Sequence, residues 1–188
     1  MEKAAFLDRD GTIIEDTGYL GEIKKVNLLP GASLGIKLLN DDGFKVIIIT
    51  NQAGVARGYF TEETVREINR YVQESFAREG ASIDMFYYCP HHVEGIIEEY
   101  RKDCCYRKPS PGMLNKAAKD FNINLKESFV IGDKYSDIEA GYRAGCRNIL
   151  LRDNNLPDEG ETGVIPDYIA PDLHEAAKWI VNQGYQEK

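Results

Sequence analysis

Residues 4–12 read Ala-Ala-Phe-Leu-Asp-Arg-Asp-Gly-Thr. Four consecutive apolar residues are too short a run for a helix and suit a strand buried on both faces, as in parallel sheets covered by helices. The strand predicted over Ala4 to Leu7 ends on two carboxylates, Asp8 and Asp10, followed by Gly11 and Thr12. Residues two apart in an extended segment point the same way, so both acids can face one centre, and Gly11 lets the backbone turn closely past a ligand. One carboxylate can attack while the other handles protons. A solvated Asp-Gly turn, with Asp10 capping the next element, would look the same in isolation.

The rest of the chain repeats the pattern. Val46 to Ile49, Phe129 to Ile131 and Ile149 to Leu151 are short apolar runs that predict buried strands. Between them, Leu34 and Leu38, then Val65, Ile68, Val72 and Phe76, then Leu114, Ala117, Ala118 and Phe121 recur at helical spacing. Pro111 suits a first helical turn and Gly43 and Gly145 suit helix ends, while Asp172 with Glu175 forms a capping-box-like start for a last helix containing Trp179. Alternating strands and helices imply βαβ crossovers and a mostly parallel sheet covered on both faces, with ligands at the carboxyl ends of the strands. Two segments, 9–30 and 89–110, are too long and irregular for tight connections. Both begin where a strand ends, and long ordered loops are usually functional.

The 188 residues fit one domain, 1–188, with a loop insertion over 89–107. With 23 basic against 31 acidic residues the net charge is -8, which argues against duplex nucleic acid or an anionic membrane as partner. An anionic substrate must then be held by local cations or a metal. No run approaches 18 apolar residues and no leader-like segment opens the chain, so a cytosolic protein is expected. Cys89, Cys104 and Cys105 cluster beside His91 and His92, which in a reducing compartment suggests metal rather than disulfide; Cys146 reads as a small buried residue.

Three more motifs fall at predicted strand ends or helix starts. Thr50-Asn51-Gln52 offers a hydroxyl and backbone N–H groups as an oxyanion cradle. Arg107-Lys108-Pro109 precedes a helix and can bring a compact positive charge to phosphate. In Gly132-Asp133-Lys134-Tyr135-Ser136-Asp137, Asp133 can complete a hard-oxygen site for Mg²⁺. Each motif is weak alone, but in this order they converge on one edge of the sheet.

Taken together, Asp8-x-Asp10-Gly11-Thr12, Thr50, Lys108 and Gly132-Asp133-x-x-x-Asp137 resemble the nucleophile, threonine, lysine and acidic motifs of the haloacid dehalogenase superfamily of phosphohydrolases. The resemblance implies a Rossmann-like three-layer α/β/α fold without a large cap domain, and an acid at Asp10 implies a phosphatase. Asp8 would form an aspartyl-phosphate, Asp10 would protonate the leaving alkoxide and then activate water, and Thr50 and Lys108 would bind the phosphoryl group. Mg²⁺ would be held by Asp8, the backbone carbonyl of Asp10 and Asp133.

Within the superfamily, Cys89-Pro90-His91-His92, Cys104-Cys105-Tyr106-Arg107-Lys108-Pro109, Ala56-Arg57-Gly58 and Gly18-Tyr19 resemble the D-glycero-D-manno-heptose 1,7-bisphosphate 7-phosphatases, enzymes of activated-heptose synthesis for lipopolysaccharide or surface glycans. Histidinol-phosphate phosphatases are close relatives and the alternative reading; a non-catalytic phosphate-binding module is a further one. On this resemblance a monomer acting on a small-molecule sugar bisphosphate is expected. Arg107 would recognise the substrate, with Arg9, Asp16, Thr17, Gly18, Tyr19, Asn51, Gln52, Ala53 and Lys134 lining the pocket and Arg57 reaching a remote phosphate. Related phosphatases hold structural Zn²⁺ by a Cys-x-His pair and a later Cys-x-Cys pair. Here Cys89 and His91 fit the first pair, but Cys104 and Cys105 are adjacent and Tyr106 stands where the last cysteine is wanted. Zinc could be closed by Cys89, His91, Cys104 and Cys105, or by His92 or water in the last place, or the loop could be metal-free.

Overall fold

The structure is a computed structural model that describes residues 1–152 and 163–186. Six strands and five α-helices are found among them: β1 (Ala4–Leu7), α1 (Ala32–Asp41), β2 (Lys45–Asn51), α2 (Glu62–Arg78), β3 (Met85–Cys89), α3 (Gly112–Phe121), β4 (Phe129–Gly132), α4 (Tyr135–Ala144), β5 (Arg147–Leu151), β6 (Tyr168–Ala170) and α5 (Leu173–Gln186). The strands form one sheet in the order β3-β2-β1-β4-β5-β6, with every pairing parallel.

Successive residues of β1 face opposite sides, as extended backbone requires. Ala5 and Leu7 join Val46 and Ile48 in a core with residues of α1, α2 and α5, whereas Ala4 and Phe6 join Ile47, Ile49 and Val130 in a second core with α3 and α4. This is the expected three-layer arrangement. The four apolar runs are the four central strands because both faces of each are covered.

Both helix-end glycines follow helices, with φ of +80° at Gly43 and +83° at Gly145. The capping prediction for α5 also holds: the Glu175 N–H donates to the Asp172 carboxylate at 2.9 Å. In α1 the core-facing residues differ from those the spacing suggested. Leu34 is 56% exposed, and the buried face is Ala32, Gly35, Ile36 and Leu39. Gly35 decides this, since a Cβ there would lie 2.8 Å from the Leu173 carbonyl oxygen: α5 packs where Gly35 leaves room, and Leu34 is turned away.

Candidate active site

The strand order reverses at β1 and β4, where connections leave for opposite faces of the sheet and a crevice opens beyond the strands' carboxyl ends. Asp8 follows β1 there and Asp133 follows β4, while Thr50 lies at the end of β2. The sheet thus brings together residues more than a hundred positions apart in sequence.

Lys108 is the centre of the arrangement. It is buried, and its ammonium lies 2.8 Å from Asp8 Oδ1 and 2.6 Å from Asp137 Oδ1 and donates to the Ile49 carbonyl at 2.7 Å. Burial alone would lower its proton affinity, but the neighbouring carboxylates of Asp137 and Asp8 outweigh burial and raise it, so the ammonium stays charged. The Asn51 side chain fixes the backbone of Lys108 by donating to its carbonyl and accepting from its N–H, both at 3.0 Å. The peptide bond to Pro109 is cis.

Across the crevice, Asp8, Asp133 and Asp137 each bring a carboxylate oxygen within 4.8 Å of the others. Asp133 Oδ1 is buried without a hydrogen-bond partner among the described residues. Burial, reinforced by the charge of Asp8, pushes Asp133 up to about 7. Crowded like charges and an orphaned carboxylate oxygen are what a hard divalent cation relieves, so the donor set fits Mg²⁺. The Asp10 side chain is outside this group, which leaves its carbonyl oxygen as the atom it can offer a cation. Gly11 makes the approach possible: φ is +87°, and a Cβ would lie 2.3 Å from Asp133 Oδ2. Asp137 belongs to the acidic motif, but its part in anchoring Lys108 was not read from sequence. The available signal was an acid in the first turn of a helix directly after a strand.

A cavity of about 450 Å³ opens on these groups, lined in part by Asp8, Asp10, Thr50, Arg107, Lys108 and Asp137. Of the predicted pocket residues, Asp16, Gly18, Tyr19, Asn51, Gln52, Ala53 and Lys134 line it, joined by Gly54, Phe60 and Ser136, which sequence reasoning missed. Asp16 is tied to Lys134 at 2.8 Å and accepts from the Gly18 N–H at 2.8 Å. Burial works against the ionised form of Asp16, but the bonds from Lys134 and Gly18 win and lower its proton affinity. Arg107 is half-buried, donates to the His91 carbonyl at 3.3 Å, and has its proton affinity lowered by burial.

Three pocket expectations need correction. Arg9 is 1% exposed and turned inward; its guanidinium grips Asp10 and Asn69 and lines no part of the cavity. Thr17 is exposed and outside the cavity, because the turn around Asp16 and Gly18 directs it to solvent. Arg57 pairs with Glu94 at 3.1 Å on a neighbouring loop and is not in the lining.

In the 89–107 loop, Cys89, His91 and Cys104 bring ligand atoms within 4.8 Å of one another, with Cys89 Sγ 3.7 Å from His91 Nδ1. Cys105, expected among the zinc ligands, is exposed and does not join them, a correction to that set. Its carbonyl accepts from the Gly112 N–H at 3.0 Å, so this residue is committed to the start of α3 while its neighbour Cys104 faces Cys89. His92 Nδ1 accepts from the Glu94 N–H at 3.1 Å and is also engaged.

Comparison with known proteins agrees with this geometry. Residues 105–176 match a family described as HAD-hydrolase-like. The chain is 47% identical over 142 residues to D-glycero-beta-D-manno-heptose-1,7-bisphosphate 7-phosphatase of Rhodopseudomonas palustris, covering 76% of this chain and 79% of that one. It is 41% identical over 160 residues to the D-glycero-alpha-D-manno-heptose-1,7-bisphosphate 7-phosphatase of Photorhabdus laumondii, covering 85% and 87%. A crystal structure of D,D-heptose 1,7-bisphosphate phosphatase from B. bronchiseptica, complexed with magnesium and phosphate, superposes with a TM-score of 0.83 at 28% identity, covering 96% of this chain and 99% of that one. The chain belongs to the heptose-bisphosphate 7-phosphatase family of HAD-like hydrolases.

Proposed function

We propose that this enzyme removes the 7-phosphate of D-glycero-D-manno-heptose 1,7-bisphosphate through an aspartyl-phosphate on Asp8. The observation that carries the mechanism is the meeting of Asp8, Asp10, Thr50 and Lys108 around one cavity at the switch point of the sheet; similarity to relatives of that name supports the substrate.

Asp8 Oδ1 is held by the Arg9 N–H and Lys108, both at 2.8 Å, which leaves Oδ2 to attack phosphorus. As that bond forms, the bond from phosphorus to the sugar oxygen breaks and Asp10 gives its proton to the departing alkoxide. Asp10 then takes a proton from water as the water attacks phosphorus, and the bond to Asp8 breaks to release phosphate. Lys108 and Thr50 stabilise the charge that builds on the phosphoryl oxygens. Bound Mg²⁺, held by Asp8, the Asp10 carbonyl and Asp133, would neutralise phosphoryl charge in the same place. Arg107, Lys134, Asp16 and the Gly18-Tyr19 turn, on the cavity wall, orient the sugar and its second phosphate.

We also place a structural zinc ion at Cys89, His91 and Cys104, two soft thiolates and an imidazole, with solvent in the fourth position. Reduced thiols of this kind suit the cytosol, where activated-heptose synthesis for lipopolysaccharide or surface glycans would use the product. Elemental analysis of protein purified without chelator should give about one zinc per chain. Cys89→Ser should lower thermal stability and, through the loop bearing Arg107 and Lys108, activity; substoichiometric zinc and an unchanged melting temperature would remove the ion from this account.

The substrate is tested by comparing both anomers of the heptose bisphosphate with histidinol phosphate and fructose 1,6-bisphosphate. At least about a tenfold preference in kcat/KM for a heptose bisphosphate is expected, corresponding to about 1.4 kcal/mol of differential transition-state binding. Preference for histidinol phosphate would overturn it.

A further inference from the structure

Arg9 is the largest fully buried side chain among the described residues, and it carries a charge. An ionised guanidinium is costly to bury unless its donors are matched. Here they are matched on two sides. Nε and Nη2 lie 3.0–3.3 Å from the two oxygens of Asp10, and Nη1 donates to Asn69 Oδ1 at 2.8 Å. Asn69, itself buried, sits among the apolar residues Val65, Ile68, Val72 and Phe76 that α2 turns to the core. A polar side chain on such a face requires a partner, and Arg9 is that partner.

The consequence falls on Asp10. Besides the guanidinium, its Oδ2 accepts from Gln52 Nε2 at 2.8 Å and from Thr50 Oγ1 at 3.4 Å. Arg9 and Gln52 thus present only N–H donors to this carboxyl group, and the Thr50 hydroxyl, which donates to it, already accepts from Gln52 Nε2 at 2.8 Å. When Asp10 carries a proton, neither a guanidinium nor an amide nitrogen can accept it, so the O–H is turned toward the cavity, which Asp10 lines. Between proton transfers the same guanidinium grips both oxygens and blocks rotation of the carboxylate.

We infer that Arg9, braced by Asn69, is a positioning residue that holds Asp10 with its exchangeable proton directed at the leaving oxygen. The inference rests on Asp10 being the acid and base of the reaction proposed above. It also assigns the buried arginine a part in the chemistry without substrate contact.

The test separates proton delivery from binding and fold. Arg9→Lys keeps the charge and loses the fork, and Asn69→Ala removes only the brace. With far-ultraviolet dichroism unchanged, Arg9→Lys should lower kcat on the heptose bisphosphate by about 100-fold, the scale of a misplaced acid, with KM within about twofold. Asn69→Ala should lower it by about tenfold and carries the test if Arg9→Lys does not fold. On p-nitrophenyl phosphate the leaving phenolate needs no proton, so the pre-steady-state burst of nitrophenolate should stay within about threefold of the parent rate. An equal loss in the burst, or unchanged sugar-phosphate turnover in the folded variants, would overturn the inference. Asp10→Asn is the control: if it too retained sugar-phosphate turnover, the assignment of Asp10 would fail, whereas its inactivity beside fully active Arg9 and Asn69 variants would sink the positioning role alone.

Discussion

The Lys108 ammonium lies within 2.8 Å of two carboxylates, Asp8 and Asp137, and donates to the Ile49 carbonyl at 2.7 Å. Truncating it leaves Asp8 and Asp137 facing each other in a buried site, where loss of one partner costs about 3–5 kcal/mol. Lys108→Met should therefore lose activity and also lower the free energy of unfolding, measured by urea titration, by an amount of that order. Asp8→Asn should behave in the opposite way with respect to stability. An amide neither attacks phosphorus nor ligates the cation well, so Mg²⁺-dependent phosphate release should vanish; yet one charge leaves the crowded set of Asp8, Asp133 and Asp137, so the melting temperature should not fall. Phosphate release near the parental rate from folded Asp8→Asn would contradict the nucleophile. Gly11→Ala brings a side chain to 2.3 Å from Asp133 Oδ2, and the expected outcome is weaker Mg²⁺ binding by calorimetry. At this scale the sequence announced the acids and Lys108 through their motifs, but not Arg9 and Asn69. Which way a side chain turns depends on what packs around it, and only the polar interruption of α2's apolar face hinted at a buried partner.

The elements legible in the sequence are those whose environment is simplest. β1, β2, β4 and β5 are covered on both faces and read as apolar runs, whereas β3, Met-Phe-Tyr-Tyr-Cys at one edge, is only partly buried, and β6 at the other edge has three residues. A long aromatic side chain can be half solvated, so such strands give neither a clean alternation nor a continuous apolar stretch. For α1 the spacing of Leu34 and Leu38 located the helix while Gly35, silent in any hydrophobic count, decided its face. Gly35→Val should push α5 away and cost about 1–3 kcal/mol, read as a lowered melting temperature. The catalytic edge is formed by other elements, so kcat measured well below that temperature should be near the parental value.

For the whole molecule, the net charge of -8 leaves the binding of an anionic substrate to local cations, and Arg107, Lys108 and Lys134 line the cavity beside Asp8, Asp10, Asp16 and Asp137. Loop-borne ligands for zinc could be listed from sequence, but which of Cys104 and Cys105 faces Cys89 depends on how the segment enters α3. The central pairing of the sheet joins β1 to β4, and the Ala4 N–H donates to Ser128 Oγ across 124 positions. Contacts so distant in sequence form slowly. On dilution from denaturant, phosphatase activity should therefore return later than the helical signal, and simultaneous recovery would contradict this order. The same topology bears on the ribosome. β1, which ends beside the proposed nucleophile Asp8, precedes β4 in the chain and must wait for it and for the turn that carries Asp137 before it has a neighbour on that side. A nascent chain that stops short of Lys108, Asp133 and Asp137 carries Asp8 without the lysine and acids that surround it in the folded protein, and so should release no phosphate from phosphate esters.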